Sequence, residues 1–157
     1  MELENNNSNL EMSNVKNIYE EIAEHFSNTR LYKWSWVDNF LNKIKHNSIV
    51  YDLGCGNGRN MNHDSLKFIG IDNCEKFIKI CKDRKMEVIN SNITNIPLKN
   101  CSADAIICIA VFHHLSNEKN RIDALLEMKR LVKNGGKILL SVWSINQPVQ
   151  TRRNFSN

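Results

Sequence analysis

The sequence predicts an α/β domain: a doubly wound, mostly parallel sheet flanked by helices. Three observations predict it. Short apolar runs such as "SIVYDLG", "KFIGID" and "ADAIICIAV" recur along the chain, and stretches with helical spacing separate them. A glycine-rich turn, "DLGCGNG", closes the first run. Strands that alternate with helices assemble into a parallel sheet through right-handed crossovers.

A chain of 157 residues suits one domain, and 41% hydrophobic with 24% charged residues suits a globular protein with a real core. Residues 1–13 have almost nothing to bury and read as a disordered, Asn-rich tail, which leaves 14–157 as the domain. Val15, Ile18, Tyr19, Ile22, Ala23 and Phe26 recur at threes and fours, a first helix. Ser35 is placed to cap a second, carrying Val37, Phe40, Leu41 and Ile44. "SIVYDLG" is a buried strand, "KFIGID" the next, "CEKFIKICKDRK" a helix and "MEVIN" a third strand. Cys74 and Cys81 lie on one face of that helix and read as small core residues. "ADAIICIAV" is apolar at both parities, as a central strand requires. A helix capped at Ser116 runs to a stop at Asn134-Gly135, and "KILLSVW" is the fifth strand. The segment "NQPVQTRRNFSN" carries no periodicity.

The net charge of +4 tolerates an anionic partner without specifying one. No apolar stretch is long enough to span a bilayer, and the polar, acidic start is no signal peptide. The expectation is a cytoplasmic protein, with the nucleus also open, and no membrane partner. Five cysteines without a C-x-x-C pair present neither a disulfide framework nor zinc-ligand spacing.

The glycine turn lies where a doubly wound fold binds its ligand. A P-loop requires a Lys followed by Ser or Thr, which is missing. A dinucleotide fingerprint requires a third small residue where Arg59 stands, and that side chain would block a pyrophosphate. G-x-G-x-G preceded by Asp52 suits a ligand with a nucleoside and an amino-acid end, S-adenosylmethionine. Asp52 offers negative charge to the ammonium. Asp72, which ends the second strand, stands where a carboxylate accepts both ribose hydroxyls.

"YEEIAEHFSNTR", "DLGCGNG", "IGID", "IPLKNCSADAIICIAVFHHL" and "ALLEMKRLVKNGGKILLSVW" together resemble the wobble-uridine tRNA carboxymethyl methyltransferases, from about Val15 to Gln147. These are Rossmann-like class I S-adenosylmethionine-dependent enzymes that esterify 5-carboxymethyluridine, and AlkB-homologue tRNA modifiers carry a related domain. The resemblance implies Asp52, Gly54 and Gly56 at the methionine end, Asp72 on the ribose, Asn92 and Ile93 beside the adenine, and Ala110 completing the cofactor set. Asn92 replaces the family's usual Asp, and its amide oxygen is expected to accept from the adenine amino group. His113 and His114, after the fourth strand, are expected beside the transferred methyl, with no third ligand for a metal. Arg30, in "SNTR", is expected to hold the substrate carboxylate or phosphate by a bidentate contact. Trp143 is equally at home bordering the base or in the core.

The family also implies a tRNA substrate and a small zinc-binding methyltransferase activator protein, pairing as a heterodimer along the strand edge Met86 to Asn90. For tRNA, Lys33, Lys43, Lys45, Arg59, Arg152 and Arg153 are dispersed candidates. "TRLYKWSW" interleaves bases and aromatics but reads as readily as a connector with buried tryptophans. The family's C-terminal hairpin, strands six and seven, has no counterpart in this sequence. Two rival readings follow: a small-molecule methyltransferase, and a truncated module that binds cofactor or partner without strong catalysis.

Overall fold

The computed structural model of the chain describes the backbone of residues 2–144 and the side chains of 14–144. Five strands form one sheet: β1 Ile49–Leu53, β2 Lys67–Asp72, β3 Val88–Asn90, β4 Ala103–Ile109 and β5 Val132–Ser141. Their order is β3-β2-β1-β4-β5 and every pairing is parallel. The order reverses at β1, with β2 on one side and β4 on the other. That reversal opens a crevice at the carboxyl ends of the strands.

Both faces of the central strands β1 and β4 are buried, as crossover helices require. Tyr51, Leu53, Ile106 and Cys108 pack on Ala124, Met128 and Leu131 of α4 (Glu118–Leu131). Val50, Ala105, Ile107 and Ile109 pack on Val37 and Leu41 of α2 (Ser35–Leu41). Successive residues point to opposite faces, so Asp52 shares the α2 side with Val50.

Two further helices cover the α2 side. In α1 (Glu2–Thr29), Tyr19, Ala23 and Phe26 pack on Cys74, Phe77 and Ile80 of α3 (Glu75–Asp83) and its approach. The Glu20 carboxylate accepts the N–H groups of Glu75 and, at 3.2 Å, Lys76. A carboxylate there satisfies orphan donors and suits the positive end of the helix dipole. It fastens α1 to α3. Cys81 lies apart from Cys74, packed with Cys55 and Met61.

The structure departs from the sequence expectations at the element ends. The first helix runs back to Glu2, through the stretch whose composition predicts disorder. Residues 2–29 contain no Gly or Pro, and extending a nucleated helix adds one hydrogen bond per residue. Trp34, not Ser35, occupies the cap position of α2, with extended backbone and no side-chain cap bond. Asn117 rather than Ser116 caps α4, its oxygen accepting the Asn120 N–H at 2.7 Å. That helix ends at Leu131, short of Asn134-Gly135, because Val132 already pairs with Ala103. Gly135, at φ +77°, lies where the β4–β5 register shifts, and a Lys133–Asp104 ion pair of 2.6 Å fastens the irregular stretch. Arg152, Arg153 and any strands after β5 lie outside the described residues.

Candidate cofactor and substrate site

A cavity of about 380 Å³ opens at the carboxyl ends of the central strands. Its floor is the turn after β1. The Gly54 and Cys55 N–H groups both donate to the Ile71 carbonyl, at 2.7 and 3.1 Å, which lashes the turn to β2. Gly54 has φ +74°, and a Cβ there would lie 2.3 to 2.9 Å from three atoms of the Val111 side chain. This glycine therefore serves the close approach of the turn to the end of β4. Gly56 is different: at φ +53°, its Cβ would meet nothing nearer than a Phe26 ring atom at 3.9 Å. Of these two, it is Gly56 that leaves ligand-sized room in the wall.

Asp72 lines the cavity and holds the turn. Its two oxygens accept the Gly56 N–H at 2.8 Å and the Cys74 N–H at 2.9 Å. Burial pushes its pKa up, and those backbone donors oppose the rise. A carboxylate has about four acceptor positions, more than these donors fill, so capacity for a ligand hydroxyl remains. The residues present fit a ligand with a sugar diol at Asp72, beside the open wall at Gly56.

Asp52 does not join it. It is fully buried beneath the turn and absent from the cavity lining, so the negative charge expected toward an ammonium lies behind the cavity wall. Both carboxyl oxygens lack a hydrogen-bond partner among the described residues. Burial, reinforced by the neighbouring Asp72 charge, raises its pKa to about 7, and the Arg59 cation opposes the rise. The cause is strand parity: β1 aims residue 52 into the α2-side core rather than out of the strand end.

Asn92, Ile93 and Ala110 line the cavity. The Asn92 oxygen, however, already accepts the N–H and the hydroxyl of Thr94, each at 3.1 Å. Its lone pairs are occupied, so the amide nitrogen is the group left to serve a ligand. Ala110 takes φ +57°, and its N–H reaches the carbonyl and the hydroxyl of Ser141, both at 3.1 Å.

The two histidines separate. Both lie in a 3-10 turn, Phe112–His114, with ring centroids 4.3 Å apart, but only His114 lines the cavity. His114 Nε2 bonds the Tyr19 hydroxyl at 3.0 Å. Burial lowers the pKa of both, and for His114 the adjacent His113 adds to it, so both favour the neutral form.

Arg30 lines the opposite wall, its guanidinium 4.1 Å from the centre of the Phe26 ring. Asn57 holds that wall to the floor. Buried inside "GNG", its amide nitrogen donates to the carbonyls of Ser27 at 3.3 Å and Arg30 at 2.9 Å. Sequence reasoning missed Asn57, Tyr19 and Val111. Only Asn57 carried a usable signal, a polar residue between two turn glycines. Trp143 lines the mouth and is 42% exposed; of the connector's tryptophans, Trp34 is half-buried against the α2-side core and Trp36 is exposed.

Comparison with known proteins decides what kind of domain carries this cavity. The methyltransferase domain family matches residues 51–140, more than half of the chain. The chain belongs to that family. It is 42% identical over 139 residues to the tRNA (carboxymethyluridine(34)-5-O)-methyltransferase of Arabidopsis thaliana, covering 88% of this chain and 34% of the relative. To the enzyme of the same name from Schizosaccharomyces pombe it is 38% identical over 143 residues, covering 90% and 62%. The chain thus spans between about a third and under two thirds of the length of these two relatives. Among solved structures, a chain of the complex between the Haloferax volcanii Trm112 methyltransferase activator and a methyltransferase superposes with a TM-score of 0.65. It is 16% identical and covers 79% of this chain and 59% of that one, a likeness of fold. The five-stranded parallel architecture of this chain is that of a methyltransferase domain.

Proposed function

We propose that this domain transfers a methyl group from S-adenosylmethionine to the carboxylate of 5-carboxymethyluridine at the wobble position of tRNA, forming the methyl ester. The observation that carries the reading is one cavity joining a floor of Gly56, Asp72 and Asn92 to a wall bearing Arg30, in a chain similar to two enzymes of that activity.

When bound, the cofactor supplies a methyl group activated on a sulfonium. Asp72 and the Asn92 amide would hold its nucleoside, and the open wall at Gly56 its amino-acid end. The substrate carboxylate is ionised at neutral pH and is its own nucleophile, so no general base is needed. The protein's task is alignment. Arg30 would orient the carboxylate by a bidentate contact. His114, kept neutral and fixed by Tyr19, would border the reacting groups without adding a competing positive charge. His113, outside the cavity, would support His114.

The edge strand β3, which expectation placed at a partner interface, does stand at the sheet margin. A Trm112-type activator, small and zinc-binding, would pair there by strand addition to give a heterodimer. The test supplies co-expressed chain and activator with labelled S-adenosylmethionine and tRNA lacking the ester. Label that mild alkali removes supports an ester. Alkali-stable label replaces the ester with base or ribose methylation, and no label on tRNA with cofactor bound rejects the substrate.

A further inference from the structure

The connector between α1 and α2 displays an aromatic side chain that nothing in the fold uses. Tyr32 is 86% exposed, more than any other large hydrophobic side chain among the described residues, yet it lines the same cavity as Asp72 and His114. Its aromatic neighbours are engaged. Arg30 covers Phe26; Trp34 stacks on Trp36 with centroids 5.5 Å apart at 15°, and Arg59 lies 4.2 Å over Trp34. No ring, cation or hydrogen-bond partner of Tyr32 is found among the described residues.

The display is pinned from both sides. The Arg30 carbonyl accepts the Asn57 amide, and Lys33 bonds the Asn62 carbonyl and pairs with Asp38 at 2.6 Å. Residues 31 and 32 project between these anchors. A ring held by two torsions offers flat apolar area at small entropic cost. Lys16, Arg30 and Arg59 line the cavity around it, so its surroundings attract an anion. A flat exposed ring amid cations matches a base on a phosphate backbone; an apolar peptide would not use the charge.

We propose that Tyr32 is a stacking platform for an unpaired nucleobase of the RNA substrate, placing the loop so that the reacting base enters the cavity. This rests on the proposed tRNA activity and assigns the rim a role in single-strand recognition. The test uses the full chain with activator, a labelled anticodon stem-loop containing 5-carboxymethyluridine, and the variants Tyr32→Ala and Tyr32→Phe. Tyr32→Ala should weaken stem-loop binding about tenfold at each of several salt concentrations, with the salt slope unchanged because no charge is lost. Tyr32→Phe should stay within about twofold, since the ring remains. Cofactor affinity should be the same in all three proteins. Wild-type stem-loop affinity in Tyr32→Ala overturns the platform while the wild-type methylation assay keeps the enzyme. Parallel loss of cofactor affinity overturns it in favour of a folding role, and a wild-type protein that binds no RNA removes both readings.

Discussion

The floor and the rim of the cavity are held by different physics. Gly54, Cys55, Gly56 and Asp72 are joined by backbone N–H groups donating to a carbonyl or a carboxylate, all within 3.1 Å and all buried or half-buried. On the rim, Arg30 lies over Phe26, and Arg59, Trp34 and Trp36 stack in turn, by face-to-face contacts of 4.1 to 5.5 Å between side chains. A backbone-bonded floor tolerates little change. A rim of stacked side chains can be altered one piece at a time, and there specificity is separable from stability.

Breaking the floor should therefore cost most. Gly54→Ala places a methyl group against three atoms of Val111 and asks Ala to hold φ +74°. With three atoms in the way, no single rotation relieves it. The expected loss is on the order of 3 kcal/mol or more, read as a fall in the denaturation midpoint, with cofactor binding lost alongside. If Gly54→Ala keeps the wild-type midpoint, the close approach to Val111 is not needed.

Asp52→Asn sharpens the comparison through pH. The Asp52 pKa is raised from 3.8 to about 7. Between those values the folded state holds a proton that the unfolded chain has released. Stability from this group is full below 3.8 and falls as pH rises to about 7. Asn cannot ionise, so at pH 8 the variant should be more stable by on the order of 2 kcal/mol, about 6 °C in Tm, with the gap closing toward pH 4. The two histidines act oppositely: their lowered pKa values remove stability as pH falls below 6.5. A Tm difference independent of pH would show that Asp52 does not ionise in this range.

The floor was legible because its chemistry forces residue types. Positive φ at three positions selects glycine, and a carboxylate that bonds the Gly56 N–H must end β2, so "DLGCGNG" and "KFIGID" announce themselves. Strand cores were legible through apolar parity. What the sequence hid was direction. Asp52 reads as a ligand contact, and only the pairing of β1 shows it aimed at the α2-side core. Asn92 reads as an acceptor until Thr94 takes its oxygen. The rim was illegible because solvated and stacked aromatics obey no period, and "TRLYKWSW" has the composition of a connector. Helix ends were missed by a residue or more where sheet pairing, as at Val132, overruled a turn signal.

On the rim, Arg30→Ala should lower turnover on tRNA about tenfold with little change in Tm or cofactor affinity, since among the described residues its guanidinium bonds only Thr29, at 3.3 Å, and covers Phe26. Arg30→Lys should recover little, because a point charge does not reproduce a bidentate fork. Near-wild-type turnover by Arg30→Ala would leave the substrate carboxylate without its assigned partner.

Asn92→Asp is the smallest change, and it tests whether floor and rim are independent. An aspartate keeps the Thr94 bonds, since a carboxylate oxygen accepts as the amide does, and puts a second acceptor where the amide donor stands. A ligand edge that donates there, such as an adenine amino group, should then bind a few-fold tighter, within about 1 kcal/mol. An edge that accepts should bind as much weaker. Isothermal titration with cofactor and with stem-loop RNA separates the regions: Asn92→Asp should shift the first and leave the second, the reverse of Tyr32→Ala. A shift in both would mean that the floor sets the position of the rim, through the Asn57 bonds that tie the glycine turn to the carbonyl of Arg30.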